Sequence, residues 1–275
     1  MRDKPKRVVK GPRLALAMCL ALTCLSAPVL SSCGRGGDYM VIAGSTSVQP
    51  YAEILAESYA LSHGGAEVDV QGGGSSAGIS AVEAGIADIA MSSRALSEKE
   101  GALFAEEIAR DGLAVIVHPS NPIDGLTMAQ LRRIYSQGTV GWDEFGGNKH
   151  KVHVIAREEG SGTRSVFTDI AMGGEAITPK AIVQNSNGAI KQLVSGDPNA
   201  IGFISLGLVD ESVKALSLDG VEATVGNILS GEYGLFRSFL FVTQGEPEGQ
   251  ARSFMDYTLS EEGQRILSRE GLIPR

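Results

Sequence analysis

Two features of this chain predict an α/β fold with mostly parallel sheets. Strand-like apolar runs alternate with helix-patterned segments from Tyr39 to the C-terminus. Four turns rich in Ser and Gly each follow one of those runs, and open α/β sheets bind ligands beyond the carboxyl ends of their strands. The apolar fraction, 43% of 275 residues, is enough to build a proper core.

Residues 1–32 read as a leader rather than as fold. Arg2, Lys4, Lys6, Arg7, Lys10 and Arg13 make a basic start, and Leu14 to Leu30 is an uncharged apolar stretch. Leu30-Ser31-Ser32-Cys33 resembles the bacterial lipobox, in which the Cys is lipidated and becomes the mature N-terminus. The alternative is an uncleaved anchor, since the span borders on the length that crosses a bilayer. Cys19 and Cys24 lie inside the leader, so cleavage leaves Cys33 alone and the mature domain without a disulfide. It leaves 18 basic and 31 acidic residues, a net charge of −13. That balance gives no basic footprint for nucleic acid. Any bound anion must be held by local dipoles and one or two arginines against a repulsive overall field. Gly34 to Asp38 reads as a flexible tether (33–38 with the lipidated Cys).

Tyr39 to Ala43 is an apolar strand. A helix follows over Val48 to Leu61, with Pro50 in its first turn, where proline is tolerated, and Val48, Tyr51, Leu55 and Tyr59 on its buried face. His63-Gly64-Gly65 ends it. Glu67 to Gln71 alternates as a strand, Ala77 to Ala84 is helical, and Ile86 to Met91 is a third strand. Ser97 with Glu100 forms a capping-box pattern ahead of Leu103, Phe104 and Ile108, which predicts a helix. Leu113 to Val117 is a fourth strand, broken by His118-Pro119-Ser120-Asn121-Pro122, and a lobe boundary is placed near His118. Thr127 caps a helix carrying Met128, Leu131, Ile134 and Tyr135. A Gly-rich turn with the sole tryptophan, Trp142, leads to a strand at Val152 to Ile155 and a helix from Ser165 to Ala171. Ile182-Val183 is a short strand, Asn187 to Ser195 a helix, and Ala200 to Leu206 and Val213 to Leu218 are strands. Phe239 to Thr243 is the last apolar strand before helices over Gly249 to Leu259 and Glu261 to Ser268.

The four turns are Gly44 to Ser47, Gly72 to Ser76, Ser92 to Arg94, and Arg157 to Thr163. Their hydroxyls donate, their glycines admit a close approach, helix N-termini add unpaired N–H groups, and Arg157 adds a forked cation. Ser45, Thr46, Ser47, Ser75, Ser93, Arg157, Ser161, Gly162 and Thr163 are therefore candidate ligands of a small dehydrated oxyanion. Arg94 reads equally as a further clamp or as a surface partner of Glu98. Taken singly, each turn is also an ordinary helix cap.

Other chemistries fit less of the chain. Gly74-Ser75-Ser76-Ala77-Gly78 matches a nucleophile elbow and makes Ser76 a candidate hydrolase serine, with His118, His150 or His153 as base. Gly72-x-Gly74-x-x-Ala77 lacks the acidic residue that a dinucleotide fold needs about 20 residues on. His150-x-x-His153 is too sparse for a metal site. No metal and no cofactor is expected. Arg164 reads as a solvated first-turn residue, and Arg237 as a candidate for an ion pair across lobes.

In this order, Ala43-Gly44-Ser45-Thr46-Ser47, Gln71 to Gly78, Ala87 to Arg94 and Arg157-x-x-x-Ser161-Gly162-Thr163 resemble the phosphate-binding lipoproteins of phosphate ABC transporters. Leu126-Thr127, Gln130-Leu131, Ile134-Tyr135, Gly141-Trp142 and Ala200 to Gly207 extend the resemblance over residues 39–275. It implies a two-lobe periplasmic-binding-protein-like fold of type II, with crossing strands joining lobe one (39–117 and 239–275) to lobe two (118–238). The lobes close over inorganic phosphate like a hinged trap. It further implies a monomeric, non-enzymatic receptor, anchored through lipidated Cys33 to the outer face of the cell membrane or in the periplasm. Its partner there is an ABC permease. Thr46, Ser47 and Ser75 would face Arg157, Ser161, Gly162 and Thr163 across the cleft, with Glu159 orienting Arg157. Part of the family has an Asp where this chain has Ser93; shorter members share the Ser-Ser-Arg arrangement. An Asp accepts the proton that phosphate keeps and sulfate lacks, so selectivity against a sulfate-like oxyanion turns on Ser93.

Overall fold

Two parallel wings of one sheet meet on long antiparallel strands. The computed structural model describes residues 39–275; the leader, the tether, Cys19, Cys24 and Cys33 lie outside them. The strands are β1 (Tyr39–Gly44), β2 (Glu67–Gly72), β3 (Ile89–Ser92), β4 (Phe104–Val117), β5 (Gly125–Leu126), β6 (His153–Arg157), β7 (Ile182–Gln184), β8 (Ala200–Ser205), β9 (Lys214–Ala215), β10 (Ser217–Leu218), β11 (Phe236–Thr243) and β12 (Ile273–Pro274). The helices are α1 (Gln49–Ser62), α2 (Ser75–Glu83), α3 (Met128–Gln137), α4 (Gly162–Val166), α5 (Asn187–Gly196), α6 (Val225–Leu229), α7 (Gly249–Leu259) and α8 (Glu261–Arg269).

The sheet runs β2-β1-β3-β11-β4-β8-β6-β7. β1 pairs in parallel with β2 and β3, and β6 in parallel with β7 and β8. Between these wings, β11 runs antiparallel to β3 and β4, and β4 antiparallel to β8. β4 is shared by two cores. Its Ile108 and Ala109 pack with Ile42, Leu55, Phe239, Phe241 and Phe254. Its Leu113, Val115 and Val117 pack with Tyr135, Trp142, Phe167 and Phe203. Smaller clusters cover the opposite faces, under α2 (Ile79, Val82) and under α5 (Ile190, Val194). The cores thus part within β4, upstream of the lobe boundary drawn at His118.

One predicted helix is absent. The capping box at Ser97 and Glu100 forms, but it caps only a 3-10 turn over Glu98–Glu100. Gly101 ends that turn, and Phe104 onward is strand, because Ile108 and Ala109 are needed against β11. Tertiary pairing overrides a local start signal. The strand expected over Val213 to Leu218 is split into β9 and β10, which pair with β4 and β5 respectively.

Candidate functional site

All four Ser/Gly turns stand at the carboxyl ends of β1, β2, β3 and β6, and they converge. Gly44 leaves β1 at φ +137°, and a Cβ on it would lie 2.4 Å from the Met91 carbonyl oxygen, so only glycine brings the first turn this close to β3. The Ser45 N–H then donates to that carbonyl at 2.9 Å, and the Gly74 N–H to the Gly44 carbonyl at 2.8 Å. With three turns locked, their hydroxyls touch. Ser45 Oγ donates to Ser93 Oγ at 3.0 Å, Ser93 Oγ lies 3.3 Å from Ser75 Oγ, and the Ser93 N–H donates to Ser75 Oγ at 3.1 Å.

The fourth turn closes on the other three. Ser161 Oγ caps α4 by accepting the Arg164 N–H at 3.3 Å. Gly162 needs to be glycine: a Cβ there would stand 2.5 Å from both Ser75 Oγ and Ser93 Oγ. The Ser76 N–H donates to the Gly160 carbonyl at 3.2 Å, and Ser47 Oγ lies 2.9 Å from Thr163 Oγ1. Ser45, Ser47, Ser75, Ser93, Ser161 and Thr163 are all buried. Buried hydroxyls persist only with partners, and here the partners are largely one another.

Arg157 lies against this cluster, only 1% exposed. Glu158 grips its Nε at 2.8 Å and its Nη2 at 2.9 Å. Nη2 also reaches Thr46 Oγ1 at 3.0 Å and the Asn185 carbonyl at 3.2 Å. Nη1 points at Thr163 Oγ1, 3.3 Å away. The partner expected from sequence was Glu159; the geometry selects its neighbour. Arg164 is less solvated than its position suggested, because its Nη1 donates to the Arg157 carbonyl at 2.7 Å.

Arg94 does not join the cluster. Its guanidinium forms a two-pronged pair with Glu100, at 2.8 and 2.9 Å, and Nη2 donates to Ser76 Oγ at 3.3 Å. The acid is Glu100 rather than Glu98, because the capping box already holds the Glu100 carboxylate toward the Ser97 N–H at 2.7 Å. These bonds, Arg94 first, draw the Glu100 carboxyl down to about 2. Ser76 therefore has a cationic neighbour, and no hydrogen bond joins it to any described histidine. His118 pairs with Ser120, and His153 with Asp197. Among the described residues no cluster of His, Cys, Asp or Glu suits a metal ion.

Two contributors were not in the sequence-derived ligand set. Asn187, at the start of α5, donates from Nδ2 to Ser47 Oγ at 3.0 Å. It belongs to a fifth polar turn, Asn185 to Gly188, which also follows a strand end, that of the three-residue β7. Arg237, on β11, finds its acid in Asp111 on β4: Nη2 and Nε lie 2.8 and 3.1 Å from Asp111 Oδ2, both residues almost fully buried. Burial pushes the Asp111 carboxyl up, opposed by Arg237 and by the Ser205 hydroxyl.

The PBP superfamily domain matches residues 31–262. The chain is 34% identical to the phosphate-binding protein PstS of Bacillus subtilis (strain 168) over 246 residues, 87% of this chain and 82% of that protein. Among solved structures it is similar to a putative phosphate ABC transporter substrate-binding protein with bound phosphate from Clostridium perfringens. That match has 41% identity, a TM-score of 0.83, and covers 86% of this chain and 99% of the other. An ABC-type phosphate transport receptor from Vibrio cholerae is similar at 39% identity and TM-score 0.74, over 86% and 100% of the two chains. With this two-lobe α/β fold, the chain belongs to the PstS family of the PBP superfamily.

Proposed function

We propose that this protein is an extracytoplasmic receptor that captures inorganic phosphate between its lobes and delivers it to an ABC permease. The observation that carries this reading is the buried ring of serine and threonine hydroxyls closed by Arg157, drawn from four turns distant in sequence. Neutral donors backed by a fixed cation suit a small oxyanion stripped of water. Of the residues suggested by sequence, Ser45, Thr46, Ser47, Ser75, Ser93, Arg157, Ser161, Gly162 and Thr163 form the proposed site; Arg94 acts through Ser76 and Glu100 instead. The lobes are about 39–117 with 239–275, and about 118–238, with the boundary drawn back into β4, where Ile108 and Ala109 pack in one large core and Leu113, Val115 and Val117 in the other. The receptor is monomeric, and cleavage of its leader (1–32) leaves the lipidated Cys33 as the mature N-terminus, which holds it at the outer face of the membrane; among the described residues no helix is long and apolar enough to cross one.

Calorimetric titration with phosphate, sulfate and arsenate tests the reading. Saturable binding of phosphate is expected, and binding of none of the three removes the proposal. Ser93→Asp is expected to sharpen the preference for phosphate over sulfate in the same titration, because a carboxylate among these hydroxyls accepts the phosphate proton and repels sulfate. An unchanged ratio would show that Ser93 does not face the anion.

The receptor is not an enzyme in this reading. Against a hydrolase built on Ser76 stands its hydroxyl, which accepts from Arg94 Nη2 at 3.3 Å and has no hydrogen bond to a described histidine. Assay of ester hydrolysis is expected to give the same background for the wild type and for Ser76→Ala; a drop in the variant would reinstate the hydrolase.

A further inference from the structure

Thr163 Oγ1 meets a second guanidinium. Besides Arg157 Nη1 at 3.3 Å, Arg237 Nη1 hydrogen-bonds the same oxygen. Arg237 belongs to β11, one of the antiparallel strands between the wings, and faces Asp111 directly across the β11–β4 ladder. Asp111 Oδ2 holds its Nε and Nη2, while Asp111 Oδ1 accepts Ser205 Oγ at 2.6 Å. The arrangement matches that of Arg157 with Glu158. In each, a carboxylate clamps the Nε–Nη2 edge and leaves Nη1 directed at the hydroxyls.

Two like charges aimed at one neutral oxygen in a buried setting repel each other. The threonine hydroxyl accepts from both and neutralises neither. A bound anion would offset that repulsion. We propose that Arg237, through Nη1, is a second cationic ligand of the phosphate, and that Asp111 and Ser205 are its positioning residues. This rests on the phosphate reading of the same site. No carboxylate among the described residues hydrogen-bonds the hydroxyls of Ser45, Ser47, Ser75, Ser93 or Thr163. Two cations and no acid at the anion favour the doubly charged form of phosphate over the singly charged one.

The test is calorimetric titration of the full protein with phosphate, at pH values on either side of the second ionisation of phosphate. The charged or ionisable groups packed about Arg237 are Asp111, Arg157 and Tyr51. The Tyr51 phenol, pushed up to about 12 by burial and then by Asp111, does not titrate in that window. Wild-type affinity is expected to rise with pH. In Arg237→Met/Asp111→Asn, which removes both buried charges together so that neither is stranded, affinity is expected to fall on the order of 100-fold and the rise to flatten. A folded double variant with wild-type affinity and pH profile overturns the role of Arg237 and leaves the receptor reading standing. A wild type that binds no phosphate overturns both. Should the double variant not fold, Arg237→Lys carries the test, since it keeps a cation for Asp111 but loses the fork. A loss of about 10-fold is expected from it, and unchanged affinity overturns the proposal.

Discussion

Replacing Arg157 by alanine is expected to cost about 2–5 kcal/mol of phosphate binding, because it strips a charge from a dehydrated partner. The side chain is 1% exposed and touches Thr46, Glu158, Thr163 and Asn185, so water cannot readily take its place. The loss has two parts. The anion loses the Nη1 donor and the charge behind it, and Thr46 and Thr163 lose the group that orients their oxygens. Titration calorimetry reads the effect directly, and a variant within a factor of two of wild type would place the anion elsewhere. Thermal unfolding without ligand should be recorded alongside, because Glu158 keeps some solvent contact and tolerates losing its partner better than a sealed carboxylate would.

Asp111→Ala is expected to be the most damaging single change to stability, by about 3–5 kcal/mol, because it leaves the Arg237 guanidinium buried without its counter-charge. Both side chains are 1% exposed, and Arg237 also stacks over Phe239 with its guanidinium carbon 5.0 Å from the ring centre. The arginine therefore has no short route to water. Urea unfolding should show a lower midpoint with an unchanged slope. A midpoint equal to wild type would mean that the guanidinium is solvated in ways its burial denies. Ser205→Ala should cost much less, since it removes one neutral donor from a carboxylate that keeps its arginine.

The site was more legible in sequence than the sheet was. Strand-end turns of Ser and Gly are readable from purely local chemistry, and each of the four stands at the end of the strand its residues follow. The failures were non-local. Phe104 to Gly112 follows a genuine cap and carries apolar residues at helical spacing. Only the distant strand Phe236–Thr243, which pairs with it residue by residue, makes it strand. Arg237 could be singled out as a candidate for an ion pair across lobes, but its partner could not, because Asp111 falls between the helix expected through Ile108 and the strand expected from Leu113. Glu158 and Glu159 are neighbours with the same charge, and choosing between them requires knowing which way β6 turns its last residues. Asn187 was missed because the strand before its turn is three residues long and exposed, too short to read as the end of a buried run.

The placement of β11 constrains how the molecule can be made. β3 pairs with β11 on the side away from β1, and β4 reaches the first wing only through β11. A ribosome that has released everything from Tyr39 to Gly234 has therefore supplied no native neighbour for that flank of Ser92. The first wing cannot be completed until nearly the last eighth of the polypeptide emerges. Such late closure slows folding, since distant segments must find each other.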